Sequence, residues 1–266
     1  MIKYRASFLM GLAHSLEYRF EFLVNLISTL FPIIIQVFLW FAIFDGTRQV
    51  VLYGYALPQM LAYVAVAGAV GKFVTTGIEH VINDDIHSGG LAIFLVKPVR
   101  YIPFRIFQTI GQKFASSVIM IMFIGAVLVL LRIKVDFVIV PYGVLLFFVA
   151  LALATLLNFY IFFLVSTSGF WLTEVVRFFH ALRLIILVMS GGIFPITVFG
   201  ETYVSVSRFL PFQYTLFFPI SVLTGALPLS EILTGIGLQV LWIGVLWFVA
   251  GRVWQIGLKR YVAVGG

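Results

Sequence analysis

Long apolar stretches, with charged residues mostly at their ends, are the feature of this sequence that most limits how it can fold. A helix satisfies its own backbone hydrogen bonds, so it can cross a hydrocarbon layer that offers no water. Crossing a layer about 30 Å thick takes about 20 residues. The sequence therefore predicts six transmembrane helices, at residues 22–44, 57–77, 106–131, 142–166, 175–189 and 232–254.

Composition supports a chain that lies almost wholly in the membrane. Hydrophobic residues make up 62% of it and charged residues 10%, whereas soluble domains are about half apolar and about a quarter charged. Six spans in 266 residues leave no room for a soluble catalytic domain, which excludes a nucleotide-hydrolysing domain within this chain. We predict an all-α membrane protein with a single transmembrane domain, residues 1–266.

The positive charges give the orientation of the spans. The net charge is +7, and the basic residues stand singly or in pairs beside apolar stretches, which favours anionic lipid over nucleic acid as a partner. Of the 17 Lys and Arg residues, thirteen fall at the two termini and in the second and fourth connections, counting residues in the adjoining halves of the spans, against four on the other side. Basic residues accumulate on the cytoplasmic side. We therefore predict that both termini are cytoplasmic.

The sequence carries no pattern for catalysis or for binding a metal. Zero cysteines exclude disulfides, thiolate metal sites and Cys nucleophiles. Residues 68–73 come nearest to a phosphate-binding loop, but their spacing is wrong and they lie in a predicted span. We predict no catalytic residue, no metal site and no cofactor in this chain.

Residues 1–20 mix charged side chains with regularly spaced leucines. Leu9, Leu12 and Leu16 follow the spacing of one helix face. This pattern predicts an amphipathic helix that lies on the membrane surface before the first span. The alternative is a simple lead-in to that span.

Residues 83–105 form a predicted cytoplasmic connection with an unusual pattern. The acidic pair Asp84 and Asp85 is followed by Ser88-Gly89-Gly90 and then by six apolar residues, 91–96. A solvated loop has no reason to carry such a run, and paired glycines permit a sharp bend. The pattern predicts a short helix on the membrane or in the groove of a partner. The alternative is an interfacial connector without a partner.

Residues 190–229 are apolar but too interrupted to form one span. Broken backbone at membrane depth is tolerated only where protein or water satisfies its polar groups. We therefore predict a re-entrant helical hairpin on the outer side between spans 5 and 6, acting as an outer gate or, alternatively, as a structural plug. Its key residues are Ser190, Gly191, Gly192, Pro195, Pro211 and Pro219.

Four ionisable residues recur every third position at the inner end of the predicted fifth span. They are Glu174, Arg177, His180 and Arg183. Adjacent members of such a row can pair with each other on one helix. The row is either an inner gate or partner contact, or an interfacial charge ladder.

Taken together, these segments resemble the membrane subunit of type-2 ABC exporters, the ABC-2 permeases. Residues 85–99, DIHSGGL…LVKPV, are similar to the family's cytoplasmic element I-x-S-G-x-L…L-x-x-P. The late pattern SGG-I-F-P…LPF-x-Y…P is similar to its extracellular re-entrant hairpin. The chain most resembles the subgroup that has two different permease subunits and a separate ATPase.

The resemblance implies that this chain forms half of a translocation path in a bacterial or archaeal plasma membrane. A cytoplasmic ATPase dimer would bind ATP and Mg²⁺, and a second permease, in a heteromer or alternatively a homodimer, would complete the path. The N-terminal helix and residues 83–105, the coupling segment, would transmit the ATPase motion. The carried-over coupling residues are Asp84, Asp85, Ile86, His87, Ser88, Gly89 and Gly90. His87 departs from the family pattern, in which many members carry Arg or Lys.

The resemblance also implies export, and the small number of charges in the spans favours a hydrophobic or amphipathic substrate. Two other functions stay open on the residues alone. An ion-coupled secondary transporter would need midplane acidic residues in broken spans, but Glu79, Asp84 and Asp85 fall at span ends. A membrane-embedded lipid-modifying enzyme would need a cluster of ionisable residues, for which the row at 174–183 is the candidate.

Overall fold

The computed structural model describes residues 2–17, 19–96, 98–132, 141–172 and 175–261, and this part of the chain is predominantly helical. The helices are α1 (Ile2–Glu17), α2 (Arg19–Thr47), α3 (Leu57–Val74), α4 (Ile78–His87), α5 (Gly90–Val96), α6 (Tyr101–Arg132), α7 (Pro141–Ser166), α8 (Val176–Met189), α9 (Glu201–Ser207), α10 (Phe217–Leu223) and α11 (Leu229–Leu258). Two short strands, β1 (Val51–Leu52) and β2 (Tyr55–Ala56), form an antiparallel hairpin between α2 and α3. Turns of 3-10 helix occupy Thr167–Phe170, Ile196–Phe199 and Phe212–Tyr214.

Four segments within the described residues are long and apolar enough to cross a membrane. They are Leu30–Thr47, Leu57–His87, Tyr142–Phe170 and Leu229–Leu258. These segments coincide with the first, second, fourth and sixth predicted spans. The prediction of a helical, multi-span membrane protein is confirmed at this level.

The third predicted span falls in a long helix, whereas the fifth falls in a helix too short to cross the hydrocarbon layer. Residues 106–131 lie within α6, which has 32 residues. Residues 175–189 lie in α8, whose 14 residues reach only about 21 Å at 1.5 Å per residue, less than the hydrocarbon thickness. The count of six spans therefore stays a prediction.

Helix α7 lies at the centre of the packing and contacts α3, α4, α10 and α11. Ala150 and Ala154 are fully buried, and their small side chains let neighbouring helices approach closely. By contrast, the apolar windows in α2 and α11 are each only 17% buried, compared with 50% for the window that contains α7. Lipid or another membrane subunit covers such faces in a membrane protein.

Helix α1 packs along the first half of α6. Its contact face carries Tyr4, Ser7 and Gly11, whereas Leu9, on the predicted apolar face, is half exposed. The N-terminal segment is thus a helix, as predicted, but a large part of its packing is against protein. Its placement on the membrane surface stays a prediction.

Candidate functional site

The coupling segment comprises the end of α4, a tight turn, the short helix α5 and the start of α6. Helix α4 ends at His87, whose Nδ1 is 2.9 Å from the Asn83 carbonyl oxygen. Ser88 Oγ donates a hydrogen bond to the Asp84 carbonyl oxygen at 2.6 Å. Gly89 then adopts φ +80°, a left-handed conformation that favours glycine, and α5 follows. The sequence pattern of a bend before an apolar helix therefore has a direct structural counterpart.

The seven predicted coupling residues point in different directions. Asp84, His87 and Ser88 are exposed at the end of α4. Ile86 is buried in the main hydrophobic core, so it packs the segment and does not offer a surface. Asp85 turns inward to α6, and the two glycines form the turn.

Asp85 is the centre of a polar cluster that joins α4 to α6. Its Oδ2 accepts hydrogen bonds from Arg105 Nη2 and from the Tyr101 hydroxyl. Arg105, which is only 8% exposed, also donates from Nη1 to Gln108 Oε1 at 2.7 Å. Burial raises the pKa of Tyr101, so its hydroxyl stays protonated at neutral pH and remains a donor. A buried ion pair persists only with such additional hydrogen bonds.

Aromatic rings surround this cluster and extend it to α5 and α11. Phe94 of α5 meets Tyr101 edge to face, with ring centroids 5.0 Å apart. Tyr101 stacks on Trp254 of α11 at 4.7 Å. The Arg105 guanidinium lies 5.2 Å from the centroid of the Phe94 ring, a cation–π distance. The coupling segment, the start of α6 and the end of α11 therefore form one packed unit.

Helix α1 contacts the same half of α6 through two glycines. A Cβ atom added to Gly11 would lie 2.1 Å from the Gln108 carbonyl oxygen, and one added to Gly111 would lie 2.1 Å from the Phe8 carbonyl oxygen. Ser7 Oγ also donates to the Phe104 carbonyl oxygen at 2.6 Å. This contact was not predicted from the sequence. Its signal was Ser7 four residues before Gly11, the small-residue spacing of closely packed membrane helices.

Helix α5 presents half of its apolar side chains outward. Leu91 is fully buried, whereas Ile93 and Leu95 are each 53% exposed and Val96 is 84% exposed. These three residues, called the α5 apolar face below, follow directly on the exposed end of α4. The apolar run predicted to lie on a membrane or in a partner groove is thus available for contact.

Two described members of the predicted row at 174–183 contact another helix. Glu174 lies outside the described residues, and Arg177 is exposed. Arg183 forms an ion pair with Glu79 of α4, and the His180 ring lies 5.7 Å from that of His80. The row therefore joins α8 to α4. Sequence spacing could not reveal this, because Glu79 and Arg183 are 104 positions apart.

Glu79 is fully buried, although the sequence analysis placed it at the end of a span. One carboxylate oxygen, Oε1, binds Arg183. The other, Oε2, has no hydrogen-bond partner among the described residues. A buried carboxylate depends on such a partner, because an uncompensated charge in this environment is costly.

The segment at 190–229 is divided into short helices by its glycines and prolines. Pro195 and Pro211 precede the two 3-10 turns, and Pro219 lies in the first turn of α10. Helix α10 is buried against α7, whereas most of α9 is exposed. The segment is thus broken as expected, while its re-entrant path through the outer half of a membrane stays a prediction.

Hydrogen bonds from distant elements fasten this segment where α8 ends. The Phe217 amide donates to the Ser190 carbonyl oxygen at 2.9 Å, and the Tyr63 hydroxyl donates to that of Gly191 at 2.6 Å. A Cβ added to Gly192 would lie 2.4 Å from a side-chain carbon of Leu187, so only glycine fits there without rearrangement. These contacts satisfy carbonyl groups that a broken helix would otherwise leave unpaired.

No set of three or more Asp, Glu or His side chains within the described ranges is arranged to hold a metal ion. A cavity of about 430 Å³ lies between the end of α2 and the start of α3, away from the coupling segment, and Phe41, Phe44 and Asp45 are among its lining residues.

A family model described as ABC-2 family transporter protein matches residues 30–265, nearly the whole chain. No curated protein and no solved structure matches the chain significantly. Proteins of this family are multi-pass membrane components of ABC transporters, generally without a catalytic site of their own, and they associate with an ATPase component. The apolar helices and the family match lead to one conclusion: the chain belongs to the ABC-2 transporter family and is a permease component of an ABC transporter.

Proposed function

We propose that this chain forms half of the translocation path of an ATP-driven exporter for a hydrophobic or amphipathic substrate. A separate cytoplasmic ATPase dimer binds ATP and Mg²⁺, and a second, different permease completes the path. The chain crosses a bacterial or archaeal plasma membrane six times with both termini inside. Residues 190–229 form the re-entrant outer segment, a name kept below for this stretch.

The observation that carries this proposal is the position of the α5 apolar face. It is exposed, whereas Leu91 on the same short helix is buried and anchors α5 to the core. An amphipathic helix that leaves such a face open fits the groove of a partner protein. Behind this face lie the Asp85–Arg105 ion pair and the Tyr101 ring, which contacts Phe94 and Trp254. Through these contacts a movement of α5 would be transmitted to α6 and α11.

The Ile93→Asp variant tests this contact. Ile93 is 53% exposed, so the substitution is expected to change the free energy of unfolding by no more than about 0.5 kcal/mol. A charge in the centre of an apolar contact is expected to weaken ATPase binding at least about tenfold, or about 1.4 kcal/mol. The measurement is the ATPase activity that copurifies with the chain in mild detergent from the cells that produce it naturally.

The conservative variant Ile93→Leu serves as the matched control and is expected to retain the copurifying activity. If no ATPase activity accompanies the unaltered chain, the proposal of an ATP-driven exporter is wrong. If activity accompanies both Ile93→Asp and Ile93→Leu equally, the α5 apolar face is not the ATPase contact.

One feature of the structure favours a second candidate, the ion-coupled secondary transporter. The apolar segment Leu57–His87 is broken between α3 and α4, and Glu79 is buried next to the break. Broken helices with a buried carboxylate bind coupling ions in such transporters. Here, however, Arg183 already supplies the cation for Glu79. Transport in liposomes that contain the chain alone, without nucleotide, would establish this second function.

A further inference from the structure

The break between α3 and α4 separates one apolar stretch into two helices. Helix α3 ends at Val74, and α4 begins at Ile78. Between them Gly77 adopts φ +67°, a left-handed conformation that strains residues with a side chain. The chain therefore changes direction at residues 75–77, and α4 is not a rigid continuation of α3.

The end of α3 is held by a lysine side chain from another helix. Lys113 Nζ of α6 donates a hydrogen bond to the Thr75 carbonyl oxygen and lies 3.4 Å from that of Lys72. Lys113 Nζ is also 5.6 Å from the centroid of the Phe73 ring. This donor satisfies carbonyl groups that the break leaves unpaired.

The start of α4 is held by an ion pair with α8. Glu79 lies in the first turn of α4, where a negative charge is favoured, and it pairs with Arg183. Arg183 also lies 5.7 Å from the centroid of the Phe162 ring in α7. Both ends of the break are thus held by side chains from other helices, which indicates that the break is a stable feature of the fold.

Helix α8 leads directly into the outer segment and is fastened to it. The Tyr203 hydroxyl of α9 donates to the Met189 carbonyl oxygen at 3.0 Å. The Phe217 amide, where α10 begins, donates to the Ser190 carbonyl oxygen. A movement of α8 would therefore move α9 and α10, and it would also act on α3, whose Tyr63 hydroxyl donates to the Gly191 carbonyl oxygen.

We propose that Glu79 and Arg183 are positioning residues that carry the movement of the coupling segment through α4 to α8 and so to the outer segment. The break at 75–77 lets α4 change its angle relative to α3. This inference rests on the proposed function, since it assumes that an ATPase moves the coupling segment. It goes beyond that proposal by naming the ion pair through which the inner and outer sides communicate.

The absence of cysteine from the chain allows a two-site test. Val81→Cys reports on α4, where Val81 is 38% exposed, and Phe209→Cys reports on the outer segment, where Phe209 is 79% exposed. Each is introduced separately into the chain purified with its ATPase and second permease in liposomes. The measurement is the rate of thiol labelling with and without ATP plus orthovanadate, which replaces the released phosphate after hydrolysis and traps ADP on the ATPase. We expect the trapped nucleotide to change both rates.

Glu79→Gln and Arg183→Gln are expected to abolish the nucleotide response at residue 209 while the response at residue 81 remains. The double variant is expected to behave like either single variant, because residues that act as one link are not additive. Arg183→Lys keeps the positive charge and is expected to retain both responses. Of the two substitutions at residue 183, Arg183→Lys also changes the side-chain packing less.

Different failures have different meanings. If the trapped nucleotide changes neither labelling rate when Glu79 and Arg183 are both intact, the chain is not driven by an ATPase and the proposed function fails. If residue 209 still responds fully in Glu79→Gln or Arg183→Gln, the coupling stands but the ion pair does not transmit it. If these variants lose the response at residue 81 as well, α4 itself depends on the pair, and the assignment of a link to α8 is wrong.

Discussion

Replacing Asp85 by Asn is expected to loosen the coupling segment from α6 and to abolish ATP-driven transport. Arg105 would lose its carboxylate partner while remaining only 8% exposed. Removing one partner of a buried ion pair costs about 3–5 kcal/mol, since an uncompensated charge remains. The free energy of unfolding of the purified protein in mild detergent measures the first effect, and transport per ATP hydrolysed measures the second.

The neighbouring Asp84 offers a matched control for stability. Asp84→Asn makes the same chemical change at an exposed side chain, so the free energy of unfolding should change by no more than about 0.5 kcal/mol. Adding Arg105→Met to Asp85→Asn should recover part of the lost stability, because no buried charge is then left unpaired. Equal stability of Asp85→Asn and Asp84→Asn would contradict the structural role assigned to this pair.

Replacing Gly111 by Leu is expected to displace α1 from α6. Even a Cβ at this position would lie 2.1 Å from the Phe8 carbonyl oxygen, so two backbones must move apart. Forcing extra atoms into a packed contact costs about 2 kcal/mol, a factor of about 30 in the docking equilibrium. Tyr4→Cys and Phe107→Cys, at rings whose centroids are 5.4 Å apart, should form a disulfide on oxidation in the unaltered background and lose it with Gly111→Leu.

Gly125 of the same helix provides the control for this experiment. No described atom outside its own helix backbone lies within 4 Å of a Cβ added there, so Gly125→Leu should leave the cross-link between residues 4 and 107 intact. Transport should also fall with Gly111→Leu if α1 helps α6 to receive the ATPase motion. If Gly111→Leu forms the cross-link between residues 4 and 107 as fully as the unaltered background does, the proposed close contact is wrong.

Several features of the fold could be predicted because the membrane restricts the chain so strongly. The predicted span at 142–166 and the helix Pro141–Ser166 nearly coincide, since an apolar stretch in lipid has to satisfy its own backbone. The bend before α5 was also predictable, because Gly89 and Gly90 interrupt the chain just before the apolar run. Both inferences depend only on neighbouring residues.

The partners of the charged residues could not be predicted in this way. The row at 174–183 was predicted to be either an inner gate or partner contact, or a charge ladder, and its spacing did not indicate that Arg183 binds Glu79 on another helix. Asp85 was predicted to be a coupling residue, and its position in the sequence did not indicate that it pairs with Arg105. Periodicity describes one helix at a time, and it does not say which helices meet.

The order of the residues is enough to predict a helical membrane protein, the positions of several spans and the segment that bends on the cytoplasmic side of the predicted topology. These properties follow from hydrophobicity and backbone hydrogen bonding, which act locally along the chain. The docking of α1 on α6 and the ion pairs that join α4 to α6 and α8 become visible in the folded protein. Such contacts join residues far apart in the sequence, and packing and burial select them once the helices are assembled.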